Sequence, residues 1–325
     1  MTHLSLQVSQ VDALNSMIHG LTLRAVDGRA LPSFDAGAHV RVEVKLPNGQ
    51  TDWRHYSLIN FSTSLGSCEM PDHYTIAVRK EDQGRGGSLF IHSLKVGDIL
   101  HVEPPKNDFP LVDFPGRIIL VAGGIGVTPL ISMASQRLAN VQKVSMIYAG
   151  RSREMMAYLP EVSALLGDSL RLHIDTEVGA PLNVQALLDE CGEHDRIYVC
   201  GPKVMLDAVL AEANQRHWPK DRVHFELFAV PVAQQGDHEF EVQLVQSGST
   251  YKVAADQTIL DCLIDHGCDP LFDCKRGECG ICAVPVIEGE IDHRDYVLSD
   301  TEKKEGKVMH ICISRAKGQR LVLDL

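Results

Sequence analysis

The chain has 325 residues, of which 44% are hydrophobic and 23% are charged, and its formal net charge is −12. This composition is typical of a globular protein with two or three domains, and the negative charge argues against nucleic acid as a partner. The first residues lack a basic segment before an apolar one, and no apolar run approaches the roughly 18 residues that span a bilayer, so we expect a cytoplasmic protein with no membrane partner.

The first segment, residues 1–112, is predicted to be mostly β-structure. Hydrophobic and polar residues alternate over His39–Leu46 and again over His73–Lys80. Turn signals such as Pro47–Gly49 separate these runs. Short alternating runs broken by turns are typical of a small antiparallel barrel.

Two motifs in this segment, WRHYSLIN and GRGGSLFIH, could hold a flavin. Arg54 and Arg85 are cations available for a phosphate. Gly86–Ser88 could offer backbone and hydroxyl donors at the start of a short helix. Tyr56 could lie against an isoalloxazine ring while Ser57 hydrogen-bonds it. Each of these signals also occurs by chance in ordinary turns and strands.

The second segment, residues 113–228, changes to alternating buried strands and helices. Its first strand, Arg117–Ala122, is a continuous apolar run of the kind that is buried on both faces. Further strands are predicted at Val144–Gly150, Leu170–Asp175 and Asp195–Gly201, with a helix at Val204–His217. Alternating strands and helices predict a parallel α/β sheet.

A glycine-rich loop follows the first of these strands. Gly123, Gly124 and Gly126 would let the backbone approach a pyrophosphate at the start of a helix. The pattern is GGxGxTP rather than GxGxxG, so alone it could be a simple turn. Cys200–Pro202, at the end of a later strand, would lie at the same carboxyl edge, where ligands bind. Asp175 could pair with a ribose hydroxyl and disfavour a 2′-phosphate, which favours NADH over NADPH.

Residues 229–237 are rich in Pro, Gly and polar side chains and are predicted to be a linker. The last segment, residues 238–325, opens with two alternating strands around a Ser-Gly-Ser turn, which predicts a hairpin. A short helix over Gln257–Gly267 is expected next, ended by its glycine.

Four of the nine cysteines have the spacing of a plant-type 2Fe–2S site: Cys274-x4-Cys279-x2-Cys282, then Cys312 after 29 intervening residues. Zinc is the main rival, but zinc sites more often use two C-x2-C pairs, and only one is present. A redox dithiol would leave Cys274 and Cys312 unexplained. We therefore predict a 2Fe–2S cluster with these four ligands.

The loop around these cysteines must curl around the cluster. Gly277 and Gly280 would permit the unusual backbone dihedrals and let amide groups approach the sulfurs. The fourth ligand, Cys312, is expected to lie on a strand over residues 310–315 and to fix one end of the cluster to the core.

Taken together and in this order, the motifs resemble those of the phthalate dioxygenase reductase family, which includes vanillate demethylase reductases. The resemblance covers essentially the whole chain. It rests on RHYSLIN, GRGGS, PKNDFPL, AGGIGVTP, CGP, HFELF, CKRGECGIC and the end GEIDHRD…CISRAKGQRLVLDL. It implies a multidomain fold, with an antiparallel Greek-key β-barrel that carries FMN, an α/β parallel-sheet domain like that of ferredoxin–NADP reductase, and a β-grasp plant-type ferredoxin domain.

The resemblance also implies roles for individual residues. The flavin contacts would be Arg54, His55, Tyr56, Ser57, Ile76, Ala77 and Val78, and the flavin phosphate would be held by Arg85, Gly86, Gly87 and Ser88. NADH would be framed by Gly123, Gly124, Gly126, Cys200, Gly201 and Pro202. The catalytic positions would be Thr128, Cys200 and Glu226, which would position the reacting atoms rather than act as acid or base. Phe228 would lie near the flavin ring, and Thr128 near both flavin and nicotinamide.

Three modules in one chain suggest an electron path. NADH releases two electrons as a hydride, the cluster accepts one at a time, and a flavin can do both. The expected acceptor is a separate Rieske-type oxygenase, because the chain has no Rieske or catalytic-iron motif of its own. A reductase for another acceptor, such as a cytochrome P450, is the alternative enzyme. An iron–sulfur sensor or scaffold is the non-enzyme alternative, and the nucleotide loops argue against it.

Surface charge gives an expectation about the partner. From Glu239 onward the chain carries 10 Lys/Arg against 16 Asp/Glu, a formal charge of −6. A basic docking patch on the oxygenase would suit this charge, although a solvated acidic surface explains it equally well. We expect the partner to dock on the exposed edge of the cysteine loop, at Lys275, Arg276 and Glu278, and the free protein to be a monomer.

Overall fold

The computed structural model describes residues 3–64, 68–228 and 233–325. The chain divides into two compact units, Met1–Phe228 and Ala229–Leu325. The predicted linker, residues 229–237, begins at this division, and its first four residues lie outside the described residues. No helix in the described part of the chain is both long and apolar enough to cross a membrane.

The first unit begins with an antiparallel barrel, as predicted. Its strands are β1 (Leu4–Asn15), β2 (Ile18–Ala25), β3 (His39–Lys45), β4 (Thr51–Ser57), β5 (Tyr74–Arg79) and β6 (Ile99–Val102), with helix α1 (Gly87–Ser93) before β6. Within residues 3–64 and 68–112 they pair in the order β4-β3-β6-β1-β2-β5, each pair antiparallel. The two edge strands, β4 and β5, also meet. Just after β4, the Ile59 N–H donates to the carbonyl of Thr75 in β5 at 2.9 Å. This contact makes β6-β3-β4-β5 a Greek key.

The second half of the first unit is a parallel α/β sheet. Its elements are β7 (Ile118–Gly123), α2 (Val127–Ala139), β8 (Val144–Gly150), α3 (Leu159–Leu166), β9 (Leu170–Ile174), α4 (Asp175–Val178), α5 (Val184–Asp189), β10 (Arg196–Cys200), α6 (Lys203–Gln215) and β11 (Val223–Glu226). Short 3-10 turns lie at Gly124–Gly126, Arg153–Met155, Gly167–Ser169 and Lys220–Arg222. The strand order β11-β10-β7-β8-β9 puts β7 at the centre, and all its residues are buried. The sequence prediction of a fully buried parallel strand is confirmed.

The second unit is a mixed sheet with short helices. Its elements are β12 (Phe240–Leu244), β13 (Thr250–Val253), α7 (Ile259–Asp265), β14 (Ala283–Glu288), β15 (Ile291–Asp292), α8 (Asp300–Glu305), β16 (Val308–His310), β17 (Arg315–Ala316) and β18 (Arg320–Leu323). The main sheet has the order β13-β12-β18-β14-β16, with β12 and β18 parallel. The predicted hairpin forms β12 and β13, and the predicted helix is α7.

The expectation that Cys312 lies on a strand is wrong. The strand β16 ends at His310, and the next two residues belong to a turn. The His310 carbonyl accepts hydrogen bonds from the N–H groups of Ile313, at 3.2 Å, and Ser314, at 3.0 Å. These bonds close the turn, so the fourth cysteine stands on a tight bend between β16 and β17.

Charged side chains of the second unit bind the residues just before β12, Asp237 and His238. The Asp237 carboxylate accepts hydrogen bonds from both terminal nitrogens of Arg294. The buried Arg315 donates to the carbonyls of His238 and Ala254, each at 3.0 Å. The hydrogen bond from Arg294 lowers the pKa of Asp237 to about 2. Residues from Asp237 onward are therefore tied to this unit by charged groups.

Candidate functional site

The carboxyl edge of the parallel sheet brings the predicted catalytic positions together. Cys200, at the end of β10, pairs in register with Glu226 of β11 on one side and with Ala122 of β7 on the other. Cys200 and Glu226 are both buried. Thr128 is buried in the first turn of α2 and donates its hydroxyl to the Ile125 carbonyl at 3.1 Å.

The two loops at this edge touch through their backbones. A Cβ added at Gly126 would lie 2.2 Å from the Cys200 carbonyl oxygen. A Cβ at Gly123 would lie 2.5 Å from the Pro202 ring, and one at Gly201 would lie 2.8 Å from the Gly123 Cα. Glycine is therefore required at these positions because the loops approach closely, as expected for a backbone-lined nucleotide site.

Gly124 has a different environment from its neighbours. Its φ of +55° is in the left-handed region, and a Cβ there would meet nothing within 4 Å. This glycine therefore faces open space, and its backbone is accessible to a ligand at the edge of the sheet. A pyrophosphate that approaches here would meet no side chain from the loop itself.

Asp175 lies at the same edge but further out. It begins α4, directly after the edge strand β9, and β8 separates β9 from β7. Its partly exposed carboxylate is 3.4 Å from the His173 Nε2. The structure thus places Asp175 two strands away from the glycine loop, at a distance that only an extended ligand would bridge.

Helix α2 connects this edge to the barrel through Ser132, a residue that the sequence did not single out. The Asn60 N–H donates to the Ser132 Oγ at 2.9 Å, and the Ser132 hydroxyl donates to the Leu58 carbonyl at 2.8 Å. Leu58 directly follows the motif residue Ser57 at the end of β4. Ser132 is four residues after Thr128, so both lie on the same face of the helix.

The barrel residues that would hold a flavin phosphate also converge. Arg54 donates to Asp52 and to the Trp53 carbonyl, but its second terminal nitrogen, Nη2, is buried without a hydrogen-bond partner. A Cβ at Gly87, in the first turn of α1, would lie 3.0 Å from the Arg54 Nε. A partly buried guanidinium whose spare donor lies beside a helix start fits an anionic group such as a phosphate.

The charge at this point is also favourable for an anion. Burial raises the pKa of Asp52, but the hydrogen bond and charge of Arg54 and the charge of Arg85 outweigh burial and lower it. Both guanidinium groups are therefore close enough to act on the Asp52 carboxylate. Arg85 is exposed whereas Arg54 is partly buried, so Arg85 is the more accessible of the two cations.

The start of α1 is shaped by its own loop and by β5. Gly86 has a φ of +92° and caps α1 without a side-chain hydrogen bond, and the Ser88 hydroxyl accepts from the Glu81 N–H at 3.0 Å. At the other end of α1, His92 donates its Nε2 to the Val78 carbonyl at 2.8 Å. Burial lowers the pKa of His92, so this anchor between α1 and β5 is a neutral imidazole.

The remaining predicted flavin contacts fall around the same barrel strands. Ser57 is buried at the end of β4, and Tyr56 and His55 are half-buried beside it. Ile76, Ala77 and Val78 are consecutive buried residues of β5. Phe228 packs against the core cluster that includes both the barrel residue Ala77 and the sheet residue Cys200. The core of the first unit is therefore shared by the two predicted binding regions.

In the second unit the thiols of the four predicted cluster ligands meet one another. The Cys274 thiol interacts with those of Cys279 and Cys312, and the Cys282 thiol interacts with that of Cys312. The hydrogen bond from Cys312 lowers the pKa of Cys282 to about 7, and the Cys279 thiol lowers that of Cys274. A lowered pKa favours the thiolate, the form that binds a metal, at Cys274 and Cys282, whereas the same thiol contacts raise the pKa values of Cys279 and Cys312.

The backbone of the cysteine loop has the dihedrals that the sequence predicted. Gly277 and Gly280 have φ values of +77° and +79°, and Lys275 also has a positive φ, of +55°. The Arg276 N–H points at the Cys274 sulfur at 3.3 Å. Backbone N–H groups aimed at sulfur stabilise a negatively charged iron–sulfur cluster.

The contacts among the four thiols agree with their spacing in the sequence. That spacing is the spacing of a plant-type site, in which four cysteines hold two irons. The four cysteines therefore fit a 2Fe–2S cluster.

The expected docking edge of this loop is wrong for two of its three residues. Arg276 is buried, and its Nε lies 3.0 Å from a carboxylate oxygen of the largely buried Glu278. Lys275 is partly exposed, but its Nζ binds Asp261 at 3.0 Å. The positive φ values at Lys275 and Gly277 turn the chain so that these charged side chains pair with each other and with α7.

Comparison with known proteins agrees with this geometry. Residues 242–317 match the 2Fe-2S iron-sulfur cluster binding domain family, and residues 120–211 match the oxidoreductase NAD-binding domain family. The chain is 40% identical over 320 residues to a putative toluene-4-sulfonate monooxygenase system reductase subunit of Comamonas testosteroni, covering 98% of both chains. It is 38% identical over 303 residues to a vanillate O-demethylase oxidoreductase of Pseudomonas sp. strain HR199, covering 92% of each.

Solved structures give the same result. Phthalate dioxygenase reductase, a modular structure for electron transfer from pyridine nucleotides to 2Fe–2S, superposes with a TM-score of 0.75 and 34% identity over 99% of this chain and 98% of that one. An intact type IV self-sufficient cytochrome P450 monooxygenase gives a TM-score of 0.71 and 38% identity, and this chain spans 41% of that one.

The fold and sites define an oxidoreductase that joins a flavin-type barrel and a nicotinamide-nucleotide domain to a 2Fe–2S domain. More specifically, the chain belongs to the phthalate dioxygenase reductase family, the reductase components of multicomponent oxygenase systems.

Proposed function

We propose that this protein takes electrons from NADH, passes them through FMN and a 2Fe–2S cluster, and delivers them one at a time to a separate Rieske-type oxygenase. The observation that carries the proposal is the meeting of all four predicted cluster thiols, in a chain whose other unit has a buried nucleotide edge linked to a flavin-type barrel. Bound FMN would accept a pair of electrons and return them singly, and the cluster would carry single electrons.

In this proposal the barrel holds FMN through its phosphate and ring. Arg54 supplies its unpartnered Nη2 to the phosphate, and Arg85 adds a second positive charge. Gly86, Gly87 and Ser88 present the backbone and hydroxyl at the start of α1. The ring would lie against Tyr56 and Ser57 of β4, with β5 and Phe228 also beside it.

The carboxyl edge of the sheet would hold NADH. Gly123, Gly126 and Gly201 keep two loops close enough for their backbones to frame the nucleotide, and Gly124 offers open space for the pyrophosphate. Cys200, Glu226 and Thr128 would position the nicotinamide, since all three are buried at this edge. The Asp175 carboxylate would accept a hydrogen bond from a ribose hydroxyl, and it would repel the negative charge of a 2′-phosphate. NADH is therefore the expected electron donor.

A spectrum of the purified protein before and after anaerobic addition of NADH tests this function. We expect flavin and iron–sulfur absorbance to bleach, and mass spectrometry of the released flavin to identify FMN. A Cys279→Ser variant is the control, because it should keep flavin bleaching and lose the iron–sulfur signal. Absence of flavin, or a full spectrum that NADH leaves unchanged, would refute the proposal. Sedimentation of the free protein tests the expected monomer.

A second acceptor class has specific support. The chain is 38% identical to part of a self-sufficient cytochrome P450 monooxygenase, in which that part is fused to the rest of one chain. A cytochrome P450 is therefore the second candidate for the acceptor. Anaerobic mixing of the NADH-reduced protein with each purified acceptor separates the two, because only the correct one should be reduced at a rate that saturates with its concentration.

A further inference from the structure

The cysteine loop presents apolar side chains to its surroundings. Leu271 is 79% exposed, Phe272 is 38% exposed and Ile281 is 47% exposed. We call these three residues the apolar lip. Exposed apolar side chains grouped within one loop are a common mark of a protein interaction site.

The lip lies beside the cluster ligands. Phe272 is two residues before Cys274, and Ile281 stands between Cys279 and Cys282. Since consecutive Cα atoms are about 3.8 Å apart, the backbones of Phe272 and Ile281 lie within roughly 8 Å of a ligand, and that of Leu271 within roughly 11 Å. Cys279, next but one to Ile281, is the ligand with the most solvent exposure, because the other three cysteines are buried. The lip therefore adjoins the most accessible side of the predicted cluster.

The charged side chains of this loop are engaged within the unit. Arg276 pairs with Glu278, and Lys275 pairs with Asp261 while its Nζ also lies 4.8 Å from the centre of the Phe272 ring. These groups would have to give up existing contacts before they could bind a partner. Recognition at this place should therefore depend on apolar contact rather than on the loop's ions.

We propose that the apolar lip is where the electron-accepting oxygenase docks, through a face with an apolar centre and a basic rim. The inference rests on the proposed function. The basic rim follows from charge complementarity. The chain from Glu239 onward carries a formal charge of −6, and the exposed Asp269 lies two residues before Leu271. Each docking event would move one electron from the reduced cluster to the acceptor's metal centre, with no bond made or broken.

Serine variants of the lip test the proposal. Phe272→Ser and Ile281→Ser remove apolar area, and Ile287→Ser is the matched control, since Ile287 is 62% exposed on β14. Ile287 is five residues beyond Cys282 along a strand, or roughly 16 Å at about 3.3 Å per residue. The probe is the purified oxygenase component of the toluene-4-sulfonate monooxygenase system. Stopped-flow bleaching of the cluster by NADH reports the internal electron path separately.

We expect the KM for the oxygenase to rise roughly tenfold in each lip variant, because each removes one apolar side chain that the interface would bury. The Ile287→Ser variant should match wild type, and all three variants should keep the normal iron–sulfur spectrum and NADH-driven bleaching. An unchanged KM, or an equal rise in the control, overturns the proposal.

A lip variant that slows cluster bleaching by NADH would also overturn it, because the lip would then serve transfer within the chain. If wild-type protein reduces no Rieske-type oxygenase although NADH bleaches its cluster, the proposed acceptor class fails and the docking surface fails with it. That result differs from a failure of the lip alone, in which wild type and variants reduce the oxygenase equally well.

Discussion

A single methyl group at Gly126 should separate the two loops of the nucleotide edge. The φ of Gly126 is −62°, so alanine fits its backbone conformation. The obstacle is space, because the new Cβ would lie 2.2 Å from the Cys200 oxygen, 2.5 Å from the Cys200 carbonyl carbon and 2.7 Å from the Gly201 nitrogen. These are backbone atoms, which cannot rotate away as a side chain would. Relief of the overlap requires one loop to move by roughly 1 Å.

That displacement acts where the nicotinamide would be positioned. Cys200 is held in register between Ala122 and Glu226, so a shift of its carbonyl disturbs all three strand ends. A misplacement of about 1 Å can reduce a rate by about 10²-fold. We therefore expect kcat/KM for NADH to fall about 10²-fold in Gly126→Ala, equivalent to about 2.7 kcal/mol of transition-state stabilisation.

Stopped-flow reduction of the bound flavin by NADH measures this effect directly. The matched control is Gly192→Ala, whose Cβ would make only an ordinary contact of 3.4 Å with Asp195 and which lies in the loop before β10, at the opposite edge of the sheet. The control should react like wild type, and both variants should keep a dithionite-reducible cluster. If Gly126→Ala binds NADH and is reduced at the wild-type rate, the close packing of the loops has no role in positioning the nucleotide.

Three further predictions concern the other sites. Arg54→Ala should weaken FMN binding at least tenfold in an equilibrium titration of the apoprotein, since it removes the unpartnered donor; retention of stoichiometric FMN would contradict this. Cys279→Ser should lose the iron–sulfur absorbance, whereas Cys268→Ser, which alters a cysteine outside the predicted ligand set, should keep it. Asp237→Asn should lower the stability of the second unit by roughly 1–3 kcal/mol in denaturant unfolding monitored at pH 7. Because the pKa of Asp237 is depressed to about 2, its contribution is present above the unfolded pKa and is lost as pH falls from about 4 to 2, so wild type and variant should converge in acid.

The architecture could be predicted because its signals are local. Ile118–Ala122 is apolar without interruption, and such a run is typical of a strand covered on both faces. The cysteine spacing and the positive φ values at Gly277 and Gly280 also depend on a few neighbouring residues. Patterns of this kind can be recognised without knowledge of the tertiary structure.

The errors arose where long-range or turn geometry decides the outcome. Arg276 and Glu278 are charged, and a charged pair in a glycine-rich loop is expected at the surface. The loop instead turns them inward, where they pair with one another. Cys312 was expected on a strand because its neighbours are apolar, but hydrogen bonds to the His310 carbonyl form a turn there. A turn inside an apolar run leaves no mark in the hydrophobic pattern.

Ser132 shows why the glycine loop could not be interpreted by itself. A buried serine within a helix has no distinctive sequence signal, yet it hydrogen-bonds both Leu58 and Asn60 at the end of the predicted flavin motif. Helix α2 therefore starts at the nucleotide loop and contacts the barrel one turn later, about 6 Å further on at about 1.5 Å per residue. Because a helix is rigid over one turn, this spacing fixes how close the nucleotide edge and the flavin strand can come. We therefore expect the separation of a bound nucleotide and a bound flavin to depend on Ser132 as well as on the glycines.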